Sequence, residues 1–396
     1  MTLTVRHALV LVVLAAACQR APSLSPRPLV LPRGTADSVR TEAVARGVTL
    51  HSLVNVAAPW RAYVLDVDLR CNALQAVKGA PTAVGRLTTN QLLAALPAGA
   101  RAVAAVNADF FLFAPPGVPT NAHVERGVMI SGPDNRPVFW QGVNGAVGFD
   151  TLRVTGTLGA GARTVTLTAW NRPAVRTNGV IDSKWGAPLD TAVRKRYWRL
   201  DPVGAPLRGA KTITLSGRYI AHAPRAGDTL VRGDTLLLHL APREAAPAEG
   251  EAITLSVQLV GRGATAARTA LAEVVGGRPM LVADSAAAKD VDTDGQASFR
   301  DLNPRTLLGL DRKGRRAWLA VVDGRQKGYS MGMTLRQEAE LMLALGATRA
   351  INLDGGGSSA LDIRRADGSV RTVNKPSDAG GERAVANALA VRQTCK

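Results

Sequence analysis

The 396-residue sequence predicts an α+β fold with a mixed, sheet-rich core, few helices and a β-rich insertion. Apolar runs bounded by glycine and charged turns recur along most of the chain, and such runs are typical of strands. Only two segments combine helical spacing with a clear start signal: residues 89–96 and a longer segment that begins after Thr334. The strand-like runs are densest at about 150–270, so we expect this variable middle region to be the insertion.

Residues 1–18 are typical of an export signal that ends like a lipobox. Arg6 and His7 precede an apolar run at residues 8–17, which is too short to span a bilayer as a helix. The run leads into Ala-Ala-Ala-Cys18, which resembles the bacterial lipidation signal, although Leu14 stands one place earlier than usual. We therefore expect an exported bacterial lipoprotein that is anchored to a membrane through Cys18 and faces the periplasm or the cell exterior. Ordinary cleavage at the Ala-x-Ala pattern is the alternative.

Two further regions follow the signal. Residues 19–40 are predicted to form a flexible tether, because residues 19–36 are rich in proline, serine and arginine. Residues 41–396 are predicted to form the functional domain, which contains Cys71 and Cys395. In an oxidising compartment these two cysteines could form a disulfide that ties the C-terminus to an early strand. Two free buried thiols are the alternative.

The composition is that of a globular protein, with 46% hydrophobic and 20% charged residues and a net charge of +18. Such a charge raises the question of nucleic-acid binding. The basic residues, however, are scattered without a run or interleaved aromatic residues, so we expect no nucleic-acid partner. A positive field of this kind would instead concentrate acidic glycans, phosphodiesters or anionic lipid headgroups.

The most informative segment is residues 321–361, which carries two aspartates at strand ends. Asp323 and Asp354 each follow an apolar run and precede a glycine, so a buried strand would deliver each carboxylate to a sheet edge. Between them, Thr334 and Gln337 form a capping-box pattern, and Gly346 supplies a helix stop. The apolar residues at helical spacing are Leu335, Ala339, Met342 and Leu345. The segment therefore predicts strand, loop, helix, strand and loop, with both carboxylates facing a cleft.

A glycine turn follows Asp354. It consists of Gly355, Gly356 and Gly357 and is followed by Ser358 and Ser359. Three consecutive glycines cost backbone entropy on folding, and close approach of a ligand is one reason to keep them. Their N–H groups could form an anion-binding concavity, to which the hydroxyls add donors for phosphate or sugar oxygens. A tight turn is the alternative, and the absence of a following Lys-Ser/Thr pair disfavours a P-loop.

A separate acidic segment has the spacing of a calcium loop. Its members would occupy positions one, three, five, six, seven, nine and twelve: Asp290, Asp292, Asp294, Gly295, Gln296, Ser298 and Asp301. The flanks do not read as two helices, so an exposed acidic turn is the alternative. Calcium is therefore a candidate ligand, and the sequence requires no other cofactor. The five histidines show no metal-ligand spacing, which argues against zinc.

Eight ordered blocks between about residues 44 and 391 resemble the phosphodiester glycosidase domain family, to which the uncovering enzyme of N-acetylglucosamine phosphodiesters belongs. The blocks are PWRAYVLDVDL from Pro59, VNADFF from Val106, WNRPAVRTNGVI from Trp170, VVGGRPMLV from Val274, NPRTLLGL from Asn303, VVDGRQKGYSMGMT from Val321, INLDGGGSSAL from Ile351 and VNKPSDAGGERAVANAL from Val373. Ala108 and Arg278 are modest departures from the family pattern. Residues 182–261 match weakly, so substrate specificity could be decided there.

The resemblance implies a hydrolase that cleaves the glycosidic bond of a sugar-1-phosphodiester and releases a free sugar and a phosphomonoester. The reaction passes through an oxocarbenium-like state, and its leaving group is already acidic. One base or nucleophile at the sugar, with cations at the phosphate, could therefore suffice. The candidates in matched blocks are Asp354, which we favour as base or nucleophile, then Asp109, Asp323 and Glu382. Each could instead cap a turn or form an ion pair.

The matched blocks also supply candidate substrate-binding residues. Arg305, Arg325 and Arg383 could grip phosphate oxygens, since a guanidinium offers a planar fork of donors. Asn107, Asn374 and Asn387 could bind sugar hydroxyls, together with the glycine turn and its two serines. Phe110 and Phe111 could form an apolar platform for a sugar face. The alternatives are solvated arginines, asparagines that bridge backbone turns, and phenylalanines that belong to the core.

Two competing hypotheses remain at this stage. The first is a non-catalytic glycan- or cell-envelope-binding lipoprotein that uses the same cleft. The second is a calcium-stabilised structural lipoprotein, which rests on residues 290–301 alone.

Overall fold

The computed structural model describes residues 25–172, 177–186, 197–202, 207–208, 212–220, 236–245, 247–248, 250–263, 270–289, 291 and 300–395, with the backbone alone for 197–202, 207–208 and 212–220. The described residues form 26 strands and two α-helices, α1 (Thr89–Ala94) and α2 (Leu335–Leu345). The strands are β1 (Ser38–Ala45), β2 (Val48–Asn55), β3 (Trp60–Asp68), β4 (Asn72–Lys78), β5 (Ala102–Asn107), β6 (His123–Glu125), β7 (Val128–Ser131), β8 (Pro137–Gly142), β9 (Val147–Ala160), β10 (Arg163–Leu167), β11 (Ala169–Trp170), β12 (Gly179–Ile181), β13 (Tyr197–Pro202), β14 (Leu207–Arg208), β15 (Thr212–Ile220), β16 (Leu236–His239), β17 (Ala252–Gly261), β18 (Leu271–Gly276), β19 (Met280–Ala283), β20 (Ala286–Ala287), β21 (Arg305–Leu310), β22 (Arg316–Val322), β23 (Arg349–Asn352), β24 (Leu361–Arg364), β25 (Val370–Thr372) and β26 (Asn387–Gln393). Short 3-10 helices lie at Ala98–Ala100 and Gly356–Ser358.

The fold is mostly β, which corrects the predicted α+β class. The sheet-rich core and the small number of helices are confirmed. The class differs because α1 and α2 have only six and 11 residues and each covers part of one sheet face. Segments outside the predicted strand-like runs, such as β6 to β8, also join the sheets.

The described strands form three sheets. Sheet 1 has the order β1-β2-β3-β22-β21-β23-β19-β20, and sheet 3 has the order β25-β24-β5-β26-β4. Sheet 2 follows the path β11-β12-β16-β13-β15-β17-β9-β8-β18-β6-β7, with β10 and β14 paired at its side. Sheet 2 therefore combines the predicted β-rich middle with strands β6 to β8 and β18, which lie outside that region or at its borders.

Sheets 1 and 3 pack face to face. Alternate residues of their strands fill the space between them, as Leu65 and Leu319 from sheet 1 meet Leu74 and Val106 from sheet 3. The other face of sheet 1 packs against α2, and the other face of sheet 3 packs against α1. The two helices therefore lie on opposite outer faces of a sandwich. Because side chains alternate along each strand, one set packs between the sheets and the other set packs against a helix.

Both predicted helices are confirmed, and each begins with a capping box. In α2 the Thr334 hydroxyl accepts from the backbone N–H of Gln337, whose side chain binds back to Thr334, and Gly346 ends the helix with φ of 96°. The apolar residues that predicted α2 are all buried. No helix among the described residues is long and apolar enough to cross a membrane.

The free edge of β4 is capped by side chains of sheet 2 rather than by another strand. The backbone N–H groups of Leu74 and Ala76 donate to Gln141 Oε1 and Glu273 Oε2, both at 3.0 Å. The N–H of Lys78 donates to Glu125 Oε2 at 3.3 Å. Because the donors are spaced by two residues, they all lie on one edge of the strand, and their side-chain acceptors join sheet 3 to sheet 2.

The predicted tether contacts the domain along its described part. The Arg27 N–H donates to Thr49 Oγ1 at 3.1 Å, Leu29 and Leu31 pack against the core around α2, and β1 already begins at Ser38. The flexible segment predicted over residues 19–40 is therefore too long at its C-terminal end, because its leucines gain burial against the domain. Of the two alternatives for Cys71 and Cys395, the structure contains the disulfide, with Cα atoms 4.9 Å apart. Cys18 lies outside the described residues.

Candidate active site

Two carboxyl groups that follow strand ends of different sheets come together at the centre of the site. Asp109 follows β5 of sheet 3, and Asp354 follows β23 of sheet 1. The Asp354 N–H donates to the carbonyl of Ala108 at 2.8 Å. The Asn107 side chain donates to the Asp354 carbonyl at 2.6 Å and accepts from Thr306 Oγ1 at 2.7 Å. These contacts join the two sheets at the residues that carry the carboxylates.

Asp109 is almost fully buried, with 1% of its surface exposed. Thr120 Oγ1 donates to one of its oxygens at 3.2 Å and the Asn121 N–H to the other at 2.8 Å. Burial raises the pKa of Asp109 to about 7; the negative charge of Asp354 adds to this increase, and the two donors oppose it. Asp109 is therefore poised to hold or release a proton near neutral pH.

Asp354 is half-buried and borders the glycine turn. Burial raises its pKa to about 6, whereas the Ser358 hydroxyl, the Arg383 guanidinium and the Gly355 N–H favour the ionised form and limit the increase. At neutral pH the Asp354 carboxylate is thus ionised beside a protonated or partly protonated Asp109. Two carboxyl groups with such different surroundings are a common arrangement for acid–base chemistry.

The glycine turn is closely surrounded by arginine side chains. A side chain at Gly356 would lie 3.2 Å from both terminal nitrogens of Arg325. A side chain at Gly357 would overlap the Asp378 carboxylate and the Arg383 guanidinium, which pair with each other at 2.9 Å. Glycine is therefore required at these positions for the approach of two cationic side chains, as well as for the φ of 63° at Gly356.

Arg325 and Arg383 are the two predicted phosphate ligands that lie at the turn. Arg325 is exposed and adopts φ of 59°, in the left-handed region that is rare for this residue type, and its Nε donates to Asn303 Oδ1 at 2.9 Å. Arg383 keeps about a third of its side chain exposed while it pairs with Asp378. Both guanidinium groups can therefore meet an anion from solvent at the same turn.

Arg305, the third predicted phosphate ligand, is only 3% exposed and lies beneath the turn. It pairs with the buried Glu338 of α2 at 3.0 Å and donates to the carbonyls of Met333 and Asp301. Burial raises the pKa of Glu338 to about 8, and the arginine opposes this increase. Arg305 thus fastens α2 to β21, and its contacts match the ion-paired alternative.

The three predicted sugar-binding asparagines are all buried and bridge backbone segments. Asn107 links the sheets as described above, and Asn374 donates both to Asp323 Oδ1 at 3.0 Å and to the Ser359 carbonyl at 3.1 Å. Asn387 accepts from the Asp109 N–H at 2.9 Å and contacts His123 Nδ1 at 3.0 Å. Their contacts match the bridging alternative, and each one holds a loop of the site in place.

Asp323 is buried at the end of β22, away from direct contact with Asp109. Its oxygens accept from the Asn374 side chain, the Lys375 N–H at 3.0 Å and the Tyr329 hydroxyl at 3.2 Å. The Tyr329 hydroxyl also bonds to that of Tyr63 at 3.0 Å. Burial raises the pKa of Asp323 and these donors oppose the increase. Asp323 therefore organises the loop beside the glycine turn, as a turn-capping acid does.

Glu382 faces α1, where it forms a second carboxyl pair with Asp362. Thr372 Oγ1 lies 2.9 Å from Asp362 Oδ1 and 2.5 Å from Glu382 Oε1, and the Asn90 N–H donates to Glu382 Oε2 at 3.0 Å. Burial and the charge of Glu382 raise the pKa of Asp362 to about 8. Asp362 therefore holds a proton near neutral pH, beside Glu382.

Three residues of the site lack a role in the sequence prediction. Arg172 is half-buried and donates to the carbonyls of Gly132 and Pro119, at 3.1 Å each, beside Asp109, whose ionised form it favours. A side chain at Gly276 would lie 2.5 Å from Asp109 Oδ2. The Arg278 guanidinium lies 5.7 Å from the centre of the Phe110 ring. All three stand in matched blocks, which was the signal that could have revealed them.

The remaining predicted residues lie elsewhere. Phe111 is packed in the core beneath α1, whereas Phe110 is half-buried under Arg278. The calcium-loop residues Asp290, Asp292, Asp294, Gly295, Gln296 and Ser298 lie outside the described residues. The carbonyl of Asp301 accepts from Arg305 at 2.8 Å. Among the described residues, no group of three or more His, Cys, Asp or Glu side chains could hold a metal ion.

Comparisons with known proteins bear on the fold and on the family. A solved structure of a hypothetical protein from Synechocystis is 20% identical, with a TM-score of 0.71, over 90% of this chain and 64% of that chain. This chain therefore spans less than two thirds of the Synechocystis protein. A Burkholderia pseudomallei protein described as exported is 23% identical, with a TM-score of 0.62, over 84% of this chain and 74% of that one. Both likenesses show the fold alone.

The zebrafish N-acetylglucosamine-1-phosphodiester alpha-N-acetylglucosaminidase catalytic domain, auto-inhibited by its pro-peptide, is 13% identical over 95% of this chain and 87% of that chain. Its TM-score of 0.46 is too low to support an argument about the site. No curated protein matches the sequence. Residues 213–392 match the family model described as phosphodiester glycosidase. The predicted resemblance to the phosphodiester glycosidase family is therefore confirmed, over the part of the chain that carries Asp354 and the glycine turn.

Proposed function

We propose that the protein is an exported hydrolase that cleaves the glycosidic bond of a sugar-1-phosphodiester and releases a free sugar and a phosphomonoester. The observation that carries this proposal is the half-buried Asp354 carboxylate, which stands between the buried Asp109 and a glycine turn bordered by Arg325 and Arg383. The substrate is a sugar phosphodiester or a related glycan. Export and lipidation at Cys18 belong to the proposal, and they rest on the sequence of residues 1–18.

In this proposal the phosphate diester lies at the glycine turn. Its single negative charge meets the guanidinium groups of Arg325 and Arg383, which lie close to Gly356 and Gly357. As the bond between the anomeric carbon and the phosphate oxygen breaks, the phosphomonoester leaves with the bonding electrons and gains negative charge. Cations at this position therefore stabilise the transition state more than the ground state.

Asp354 acts at the sugar. Because its pKa of about 6 leaves it ionised at neutral pH, it can accept a proton from the attacking water or attack the anomeric carbon itself. Asp109, with a pKa of about 7, is the neighbouring group that holds a proton while Asp354 is charged. Its burial makes it a positioning and proton-holding group behind Asp354 rather than a direct substrate contact.

The test uses purified protein and the methyl phosphodiester of N-acetylglucosamine-1-phosphate, with free sugar and phosphomonoester measured separately. We expect both products from the wild type and a loss of at least about 10³-fold in kcat for Asp354→Asn. Asp284→Asn is the matched control, since Asp284 is an exposed aspartate outside the site. If the folded wild type binds sugar phosphodiesters and releases neither product from a panel of sugars, the non-catalytic glycan-binding hypothesis replaces this one.

A further inference from the structure

A second cleft, separate from the glycine turn, lies between α1, β4 and the β6–β7 hairpin. Its volume is about 960 Å³, which is within the range of small-molecule sites. Val77, Leu96, Pro97 and Val128 contribute apolar wall, and Val128 is exposed. None of the residues proposed to act on the phosphodiester lines this cleft.

The polar lining of the cleft is predominantly cationic. Lys78, Arg126, Lys184 and Arg392 border it, against the two carboxyl groups of Glu125 and Glu273. The Glu273 oxygens accept from the N–H groups of Ala76 and Arg126, and burial raises its pKa to about 8. Glu125 pairs with Arg126 at 3.2 Å. Glu273 is therefore largely neutral at pH 7. Burial also lowers the pKa of Lys78 to about 7, so the excess positive charge of the cleft comes chiefly from Lys184 and Arg392.

Two of these cations form no ion pair within the described part of the chain, and the carboxyl group of Glu273, with which Arg392 interacts electrostatically, is largely protonated at pH 7. Lys184 and Arg392 are both half-buried, and neither side chain forms an ion pair or a side-chain hydrogen bond with another described residue. A half-buried cation loses hydration without compensation, which favours the binding of an anion. Arg126 keeps about three quarters of its side chain exposed and can join them.

The floor of the cleft is rigid. The Lys78 ammonium donates to the carbonyls of Gly85 and Gly117 at 3.0 Å and to that of Ala386 at 3.1 Å, so one side chain fixes three loops. Because its donors are used on backbone carbonyls and burial lowers its pKa to about 7, Lys78 holds the floor of the cleft together rather than contacting a ligand. A preformed cleft of this kind loses less conformational entropy when it binds a ligand.

We propose that this cleft binds a small amphiphilic anion, in which a phosphate or carboxylate contacts Lys184 and Arg392 and an apolar body lies along Val77, Leu96 and Val128. The inference does not depend on the proposed hydrolase activity, because it rests on charge and shape at a different place. Ligands with a phosphate head and ligands with a carboxylate head would bind through the same contacts.

The test is calorimetry with n-octyl phosphate below its micellar concentration, with n-octanol and inorganic phosphate as the two partial ligands. We expect one binding site for octyl phosphate and at least about 10-fold weaker binding of either partial ligand. Lys184→Gln and Arg392→Gln should each weaken octyl phosphate binding about 10-fold, the loss of one charge-assisted contact. Lys313→Gln, in a remote exposed turn, should leave it unchanged.

A further variant separates this cleft from the glycine turn, which could also attract a phosphate. Arg383→Gln should leave octyl phosphate binding intact, whereas binding that is lost in Arg383→Gln and kept in Lys184→Gln overturns the proposal. It is also overturned if octyl phosphate binds at several equivalent sites, or if octanol binds as tightly. Thermal unfolding of each variant verifies that the protein is folded during the titration.

Discussion

The Asn107 side chain donates a hydrogen bond to the carbonyl of Asp354 at 2.6 Å, so the last residue of a strand in sheet 3 fixes the central carboxylate residue of sheet 1. Its oxygen also accepts from Thr306 Oγ1 and from the Ala360 N–H at 3.1 Å. The position of Asp354 relative to Asp109 thus depends on this buried amide together with the hydrogen bond from the Asp354 N–H to the Ala108 carbonyl.

Asn107→Ala should therefore damage both stability and activity. The change leaves a buried hydroxyl, a buried N–H and a buried carbonyl without partners, and we expect a loss of about 2–4 kcal/mol in the free energy of unfolding. Activity on a sugar phosphodiester should fall about 100-fold, because Asp354 then keeps only its bond to the Ala108 carbonyl and is held less firmly. Urea unfolding and initial rates measure the two effects. Asn144→Ala, at an exposed turn, is the control. An Asn107→Ala protein with wild-type stability would show that the Asn107 side chain does not join the two sheets.

The pH dependence of hydrolysis should report the two carboxyl groups of the site. Activity requires ionised Asp354 and protonated Asp109, whose pKa values are raised to about 6 and about 7. The rate should therefore rise through pH 6 and fall above pH 7, with apparent values that belong to the pair. Asp109→Asn mimics the protonated acid and should remove the decline above pH 7 from a profile of kcat/KM. If the decline persists unchanged in this variant, the decline is caused by the titration of a group other than Asp109.

Gly357→Ala should weaken substrate binding with little change in the fold. The added methyl group would overlap the Asp378 carboxylate and the Arg383 guanidinium, which would have to move away from the turn. We expect KM to rise about 10-fold with a smaller change in kcat, since a charge-assisted phosphate contact is displaced. Gly380→Ala is a matched control, because a methyl group there meets no neighbour within 4 Å. Equal kinetics for the two variants would show that the turn does not carry the phosphate.

The sequence predicted the local elements of the site well. The capping box at Thr334, the helix stop at Gly346 and the glycine turn all depend on short-range patterns, and the first two are confirmed by the geometry of α2. The family resemblance came from ordered blocks that include the turn and is confirmed over residues 213–392. Elements of this kind can be predicted from the sequence because the interactions that determine them lie within a few residues.

The roles of individual polar residues were harder to predict, because they depend on contacts between distant segments. Arg305 has the same residue type and block context as Arg325, yet its guanidinium is buried against Glu338, 33 positions along the chain. Asn387 binds the Asp109 N–H from 278 positions away. The fold class was also wrong in part, because α1 and α2 are short and each covers only part of one sheet face.

The raised pKa of Asp362, which lies beside Glu382, predicts a pH-dependent stability that is separate from catalysis. The pKa of Asp362 is raised to about 8, above its value in the unfolded chain, so the folded protein binds more protons than the unfolded protein between about pH 4 and pH 8. This stabilisation is complete in acid and is lost as the pH rises through 8. One extra bound proton corresponds to a slope of at most about 1.4 kcal/mol per pH unit.

Asp362→Asn should flatten this slope, because an amide can bond to Glu382 without binding a proton. The measurement is urea unfolding at several values from pH 5 to pH 9, compared with Asp284→Asn, an exposed aspartate outside the pair. The variant should be less pH-dependent than the wild type, with the largest relative gain above pH 8, where the wild-type carboxylates repel each other. Identical pH profiles for wild type and Asp362→Asn would mean that the pair holds no proton in the folded state.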